Sequence, residues 1–161
     1  MTEIERFIAQ QDILQLVAKY GLYMDNGEFD AFEDLWADDA VFNVSPDPKI
    51  VPVPAHGKKR IREICEVRHE HNIKTVLHRH ATSNTVFDEL TADSARVRSQ
   101  VTMTEIVWSA GTIAVRGTGE YHDSFVRRNG RWMFAERVLV LDLLGGWRPG
   151  TGGDPDAARK G

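Results

Sequence analysis

Hydrophobic residues recur with two different periods along this chain, and the change of period separates helical from extended segments. From position 2 to about 24, apolar residues return every three or four positions, which is typical of one face of an amphipathic helix. Thr2 and Glu5 have the spacing of a capping box at its start. The same period predicts a second, short helix over 28–36 and a third over 57–71.

The remainder of the chain alternates with a period of two, as β-strands do. A short strand is predicted at 40–44, and four longer ones at 75–87, 95–107, 112–126 and 131–143, the last two joined by a hairpin turn at Arg128-Asn129-Gly130. Segment 45–54 contains four of the six prolines, so we expect an ordered loop there and no central strand. The sequence therefore predicts an α+β protein in which helices pack on one face of a strongly curved sheet and leave a pocket.

The strand predicted over 75–87 has an unusual pattern of polar residues. Alternation places on one face His78, His80, Thr82, Asn84 and Val86. Titratable groups beside an apolar residue on one strand face indicate either exposure to water or the wall of a cavity, and we favour the cavity. Alternation likewise predicts that Met103, Glu105 and Tyr121 point inward from the later strands.

Composition restricts the class of protein. At 161 residues the chain is about one domain long, and we assign 1–143 to one domain and the Gly/Pro-rich 144–161 to a flexible tail. A net charge of −4 without a basic run argues against nucleic acid as a partner. Cys65 is the only cysteine, which excludes an internal disulfide, and no segment has the pattern of a signal peptide or a membrane span. We expect a cytoplasmic protein that does not bind membranes.

Asp25 occupies an unusual position for a carboxylate. The first helix is expected to end at Asp25-Asn26-Gly27, because Asn and Gly accept the left-handed conformation of a helix C-terminus. The negative end of the helix dipole disfavours a carboxylate at this point. We therefore expect Asp25 to have a partner elsewhere in the fold.

The order of these elements resembles the SnoaL-like branch of the nuclear-transport-factor-2-like superfamily over roughly residues 3–143. The resemblance lies in Asp25 at the end of the first helix, H-A-T-S-N at 80–84 and Y-H-D-S-F-V-R-R-N-G-R-W at 121–132. It implies a cone-shaped α+β barrel, with a curved antiparallel or mixed sheet around three N-terminal helices and an apolar pocket, assembled as a homodimer or homotrimer. The branch includes dehydratases, a dehydrochlorinase and polyketide cyclases. In several of these lyases an Asp and a His form a catalytic pair, and the matching positions are Asp25 and His80.

Such a pair fits a lyase that needs neither metal nor cofactor. A carboxylate on one imidazole nitrogen fixes the tautomer and leaves the other nitrogen free as a base. Proton abstraction beside an activating group, followed by loss of a leaving group, is a β-elimination; we expect it to act on an apolar, cyclic or aromatic small molecule. Candidate residues for its polar atoms are Tyr20, Tyr23, His78, Asn84, Glu105, Tyr121 and Arg137, and those for the apolar walls are Trp36, Phe42, Val101, Met103 and Ile113.

Alternatives exist for each of these assignments. Asp25 and His80 also fit a turn residue and a buried histidine, and Asp123 and Arg137 fit a structural hydrogen bond and a strand cation. His69 and His71, together with the histidines at 78 and 80, suggest zinc, but a sufficient ligand set is missing and we expect no metal. For the reaction, the alternatives are an isomerase or cyclase acting on a ketone-bearing ring, and a non-catalytic ligand-binding module or a small subunit of an oxygenase.

Overall fold

The computed structural model of the chain describes residues 1–45 and 52–142. The predicted tail at 144–161 and most of the proline-rich segment lie outside the described residues. The helices are α1 (Glu3–Asn26), α2 (Phe29–Glu33) and α3 (Lys58–Asn72), and the strands are β1 (Trp36–Ser45), β2 (Ala55–His56), β3 (Val76–Leu90), β4 (Ser94–Val107), β5 (Thr112–Arg128) and β6 (Arg131–Leu141). None of the three helices is both long and apolar enough to cross a membrane.

Helix α1 begins and ends as its sequence predicts. The Thr2 hydroxyl accepts a hydrogen bond from Glu5 N–H at 3.2 Å, and Thr2 N–H donates to the Glu5 carboxylate at 2.7 Å. Gly27 closes the helix with a φ of 74°, a left-handed conformation that glycine adopts without a Cβ clash. The face turned to the protein interior consists of Ala9, Ile13, Val17, Tyr20, Gly21 and Asp25.

The predicted end of the second helix is wrong. Helix α2 stops at Glu33, and Trp36 is already the first residue of strand β1. Trp36 pairs with Phe134 in a parallel register, and Phe134 N–H donates to Leu35 O at 2.9 Å. The Trp36 ring is fully buried and contacts the Tyr20 and Phe134 rings, so tertiary packing overrides the local helical spacing.

The six strands form one mixed sheet in the order β2-β1-β6-β5-β4-β3. All neighbouring pairs are antiparallel except β1 with β6, which runs parallel. Strand β2 was not predicted, because a two-residue strand has no periodicity to detect. Helix α1 packs against β3 and β6, and α3 packs against β1, which leaves a space between the helices and the curved sheet.

Two register irregularities correct the predicted strand faces. In β3 the register shifts between Ser83 and Val86, and Asn84 has a φ of 51°, so Asn84 and Val86 are exposed instead of facing inward. The Asn84 amide donates to the Gln100 side chain at 2.6 Å on the surface. Asn84 is therefore not a cavity residue.

The second irregularity lies between Met103 and Thr104 of β4, where β5 contributes Arg116 as an unpaired extra residue. This bulge reverses the alternation of the first part of β5. As a result Ile113, predicted as an apolar wall, is 72% exposed, whereas Gly117 remains buried on the inner side.

A buried ion pair crosses the inner face of the sheet. Asp123 accepts hydrogen bonds from Arg137 Nε at 2.8 Å and Nη2 at 2.7 Å, and neither side chain is exposed. The guanidinium lies over the rings of both Tyr20 and Tyr121, 4.0 and 3.8 Å from their centroids. Burial raises the pKa of Asp123, and the charge of Arg137 opposes that shift. Arg137 is thus a structural cation in the core and does not line the cavity.

Candidate active site

Helix α1 approaches strand β3 unusually closely at Gly21. A Cβ at this position would lie 3.1 Å from His80 O and 3.2 Å from His80 Cβ. Asp25 follows one helical turn later on the same buried face. The absence of a side chain at Gly21 therefore allows the Asp25 carboxylate to reach His80.

Asp25 contacts His80 through both of its carboxylate oxygens. Oδ1 lies 2.6 Å from Nδ1 of the imidazole, and Oδ2 accepts the backbone N–H of His80 at 2.8 Å. The two side chains are 5% and 10% exposed. Because a carboxylate only accepts hydrogen bonds, Nδ1 bears the proton, and Nε2 is left unprotonated in the neutral ring. No described residue forms a hydrogen bond with Nε2, so this nitrogen is available to a bound molecule.

The pair lies at the wall of a cavity of about 300 Å³ between the helices and the sheet. Of the predicted site residues, the structure brings together around it Tyr20, Asp25, Phe42, His78, His80, Met103 and Tyr121. The volume falls in the range of small-molecule sites, and most of the lining surface is apolar.

Seven predicted residues do not line this cavity, among them Ile113, which is exposed on β5. Trp36 and Arg137 are enclosed in the core, Asn84 is exposed beyond the β3 bulge, and Tyr23 packs against the edge of the core. Glu105 lines the open groove outside the cavity. Trp36 and Arg137 point inward but lie too deep to touch a ligand. Val101 is likewise enclosed in the core.

Much of the cavity wall consists of residues that were not predicted from the sequence. The additional lining residues are Met24, Val44, Ile64, Cys65, Arg68, His69, Asn72, Arg116, Gly117, Thr118, Leu139 and Leu141. A signal for the contribution of α3 exists, because Ile64, Arg68 and Asn72 follow each other at four-residue steps on one helix face. Arg116 gave no such signal, since its position depends on the bulge in β5.

His78 lies where the cavity meets the outer groove. Its Nε2 is 3.5 Å from the Glu105 carboxylate, which is also 3.7 Å from Arg116 Nε. Partial burial lowers the pKa of His78, and the charges of His80 and Arg68 lower it further. His78 is therefore a neutral imidazole at neutral pH, able to donate and to accept hydrogen bonds.

The other polar groups of the wall are weak acids. Burial raises the pKa of the Tyr20 hydroxyl and that of the Tyr121 hydroxyl well above the ordinary value for tyrosine, so both hydroxyls stay protonated. Burial also raises the pKa of the Cys65 thiol to about 12, which keeps it from acting as a thiolate nucleophile at neutral pH. Among residues 1–45 and 52–142, no three His, Cys, Asp or Glu side chains come together as a metal site requires.

Comparisons with known proteins identify the family and the fold. The family model described as SnoaL-like domain matches residues 5–138. An aspartate-to-asparagine variant of Rv3472, a protein of unknown function from Mycobacterium tuberculosis, is 24% identical, with 98% of this chain and 88% of that chain covered and a TM-score of 0.74. A putative scytalone dehydratase from Novosphingobium aromaticivorans is 20% identical, with 87% and 88% covered and a TM-score of 0.71.

A third solved structure, that of LinA, is 16% identical, with 92% of this chain and 97% of that chain covered and a TM-score of 0.74. At these identities the three structures establish a common fold. No curated protein matches the chain.

Proposed function

The chain belongs to the family of SnoaL-like domains, and from that premise we propose that it is a cofactor-independent lyase acting on a small, apolar, cyclic or aromatic molecule. His80 Nε2 removes a proton from a carbon next to a carbonyl or similar activating group. The electron pair of the broken C–H bond forms a double bond as the leaving group departs from the neighbouring carbon. If the leaving group is hydroxide, it takes up the proton that His80 removed and leaves as water, which returns the imidazole to its neutral form.

The observation that supports this proposal most strongly is the contact between Asp25 and His80 at the wall of an apolar cavity. Asp25 has one hydrogen bond with the imidazole of His80 and a second with its backbone N–H, so the base has one orientation and one tautomer. When Nε2 takes up the proton, the carboxylate stabilises the imidazolium that forms. A general base positioned in this way typically accelerates a reaction by about 10²–10⁴-fold.

Tyr20 and Tyr121 are proposed to bind the activating carbonyl. Both rings line the cavity, and their raised pKa values keep the hydroxyls as hydrogen-bond donors. Donation to a carbonyl oxygen stabilises the negative charge that develops there when the proton is removed. Phe42 and Met103 provide the apolar surface for the body of the substrate.

The proposal is tested by incubating the protein with a panel of cyclic β-hydroxy ketones in D₂O and measuring product mass. The wild-type protein is expected to yield a product lighter by one water. His80→Ala should lower the rate by at least about 100-fold. His122→Ala is the matched control, because His122 is exposed on the other face of β5 and its imidazole has a hydrogen bond only with Glu120 among the described residues.

Retention of the rate by His80→Ala would contradict the mechanism. A product that loses no water but gains deuterium at carbon would indicate instead an isomerase or cyclase, the alternative in which the abstracted proton returns at another position. Ligand binding without turnover or exchange would indicate a non-catalytic module.

We further propose that the protein is a homodimer or homotrimer. The end of the β4–β5 hairpin exposes the large apolar side chains of Trp108, Ile113 and Val115, which a second copy could cover. Light scattering coupled to size-exclusion chromatography tests this, and a mass of 18.2 kDa at micromolar concentration would contradict it.

A further inference from the structure

Two spaces meet at His78, and the residues they share differ from those deeper in the cavity. The inner space is the apolar cavity of about 300 Å³, and the outer one is an open groove of about 660 Å³. Five residues line both and so define a mouth between them: Ile64, Arg68, Asn72, His78 and Arg116. The mouth includes two guanidinium groups and no carboxylate.

The charges of the groove do not cancel. Arg60, Arg68 and Arg116 line it together with two carboxylates, those of Glu63 and Glu105. Arg60 pairs with Glu63 at 2.5 Å. The remaining carboxylate is that of Glu105, so the groove has one positive charge in excess, although the whole chain has a net charge of −4.

The excess charge lies at the mouth. Glu105 forms a long ion pair with Arg116 at 3.7 Å and lies 3.5 Å from His78, so it offsets the charge of Arg116 only in part. Arg68, on α3, has no carboxylate within ion-pair distance among the described residues. Its charge nevertheless reaches the mouth and the cavity, because it lowers the pKa of His78 and opposes the rise in the pKa of Cys65.

We propose that the substrate bears a carboxylate, which Arg68 and Arg116 bind at the mouth while the apolar body enters the cavity toward His80. This inference rests on the proposed function, since it treats the cavity as a substrate site. A guanidinium matches the geometry of a carboxylate and binds it through charge-assisted hydrogen bonds. The neutral imidazole of His78 adds a donor or acceptor beside it. Because the anion is held at the mouth, the activated carbon lies deeper, next to the base.

The test compares three probes of equal ring size with the full-length protein: 2-naphthoate, its methyl ester and 2-naphthyl phosphate. Affinities are measured by calorimetry at low and at moderate salt. For the wild-type protein, naphthoate should bind about fivefold or more tightly than the ester, as expected for one partly screened ion pair. Added salt should reduce this preference.

Arg68→Gln and Arg116→Gln should each remove most of the preference and leave the affinity for the ester unchanged. Arg60→Gln is the matched control, because Arg60 lines only the outer groove and already has Glu63 as its partner. Circular dichroism and thermal melting confirm that the variants are folded.

Equal affinity for naphthoate and its ester, an equal loss in Arg60→Gln, tighter binding of the phosphate than of the carboxylate, or no binding of any probe would each overturn the proposal. Binding is measured without turnover, so the two proposals can fail separately. A carboxylate preference in a protein that catalyses no elimination would refute only the lyase. Elimination on neutral ketones without any carboxylate preference would refute only the assignment of the mouth.

Discussion

The buried pair of Asp123 and Arg137 allows a quantitative prediction about stability. In Asp123→Asn, one of the two acceptor oxygens becomes an amide NH₂ that faces Arg137 Nε or Nη2, where the present distances are 2.8 and 2.7 Å. Two donors then oppose each other in a site without solvent. Arg137 Nη1 is already buried without a hydrogen-bond partner among the described residues, so the guanidinium has no alternative acceptor there.

Removing one partner of a buried ion pair typically costs about 3–5 kcal/mol, because the other charge stays buried and uncompensated. The contact of the Arg137 guanidinium with the rings of Tyr20 and Tyr121 persists in the variant and offsets part of this cost, so we expect a loss of about 3 kcal/mol. This is a large fraction of the roughly 5–15 kcal/mol by which domains are usually stable, and the variant should still fold.

The assay is equilibrium urea unfolding followed by tryptophan fluorescence, since Trp36 and Trp132 are buried in the core. Asp39→Asn is the matched control: Asp39 forms the same two-pronged contact with Arg128, at 2.9 and 3.0 Å, but on the surface. Solvent screens that pair, so its loss should be much smaller than that of the buried pair. Equal losses in the two variants would refute the argument that burial determines the cost.

Three further predictions concern other parts of the wall and the helix ends. Because the thiol of Cys65 has a pKa of about 12 in the folded protein, it should react with a thiol reagent at pH 8 about a thousandfold more slowly than in the urea-unfolded protein. A fast reaction of the folded protein would contradict the burial of Cys65. Gly27→Ala should lower the free energy of unfolding in urea by more than the roughly 1–2 kcal/mol that a left-handed alanine costs, because its Cβ would lie 3.0 Å from His69 Nε2. Gly111→Ala is the control, since Gly111 is also left-handed but has open space around it, and it should cost only those roughly 1–2 kcal/mol. Because folding lowers the pKa of His78, the unfolded chain binds a proton there more readily, so the free energy of unfolding should fall as the pH drops below about 6.5. His78→Gln should reduce the slope of the free energy of unfolding against pH between about pH 7.5 and 5.5, and an unchanged slope would contradict the lowered pKa.

Much of the fold follows from local patterns in the sequence. Helix α1, strand β4 and the hairpin at Asn129-Gly130 lie where periodicity and turn residues predict them, because each depends on neighbours in the chain. The end of α2 could not be predicted, since the spacing up to Trp36 fits a helix and only the contact with Phe134 makes it a strand.

The bulges explain some of the errors at the candidate site. One extra residue in a strand reverses every later side chain, and strict alternation therefore misassigned Asn84 inward and overlooked Arg116. The position of Asn84 had a weak signal, because asparagine tolerates a positive φ. The contact between Asp25 and His80, separated by 55 residues, has no signature in periodicity. The position of Asp25 at a helix C-terminus indicated that it has a partner, but only the family resemblance indicated that the partner is His80.

The central claim is that Asp25 fixes His80 as a base with its Nε2 free, and ¹⁵N NMR of the imidazole at pH 7.5 tests it without a substrate. In the wild-type protein the account predicts the tautomer with the proton on Nδ1. In Asp25→Asn the amide oxygen must accept the backbone N–H of His80, so the NH₂ faces Nδ1 and the proton should move to Nε2. A proton on Nε2 in the wild-type protein, or the same tautomer in both proteins, would contradict the account.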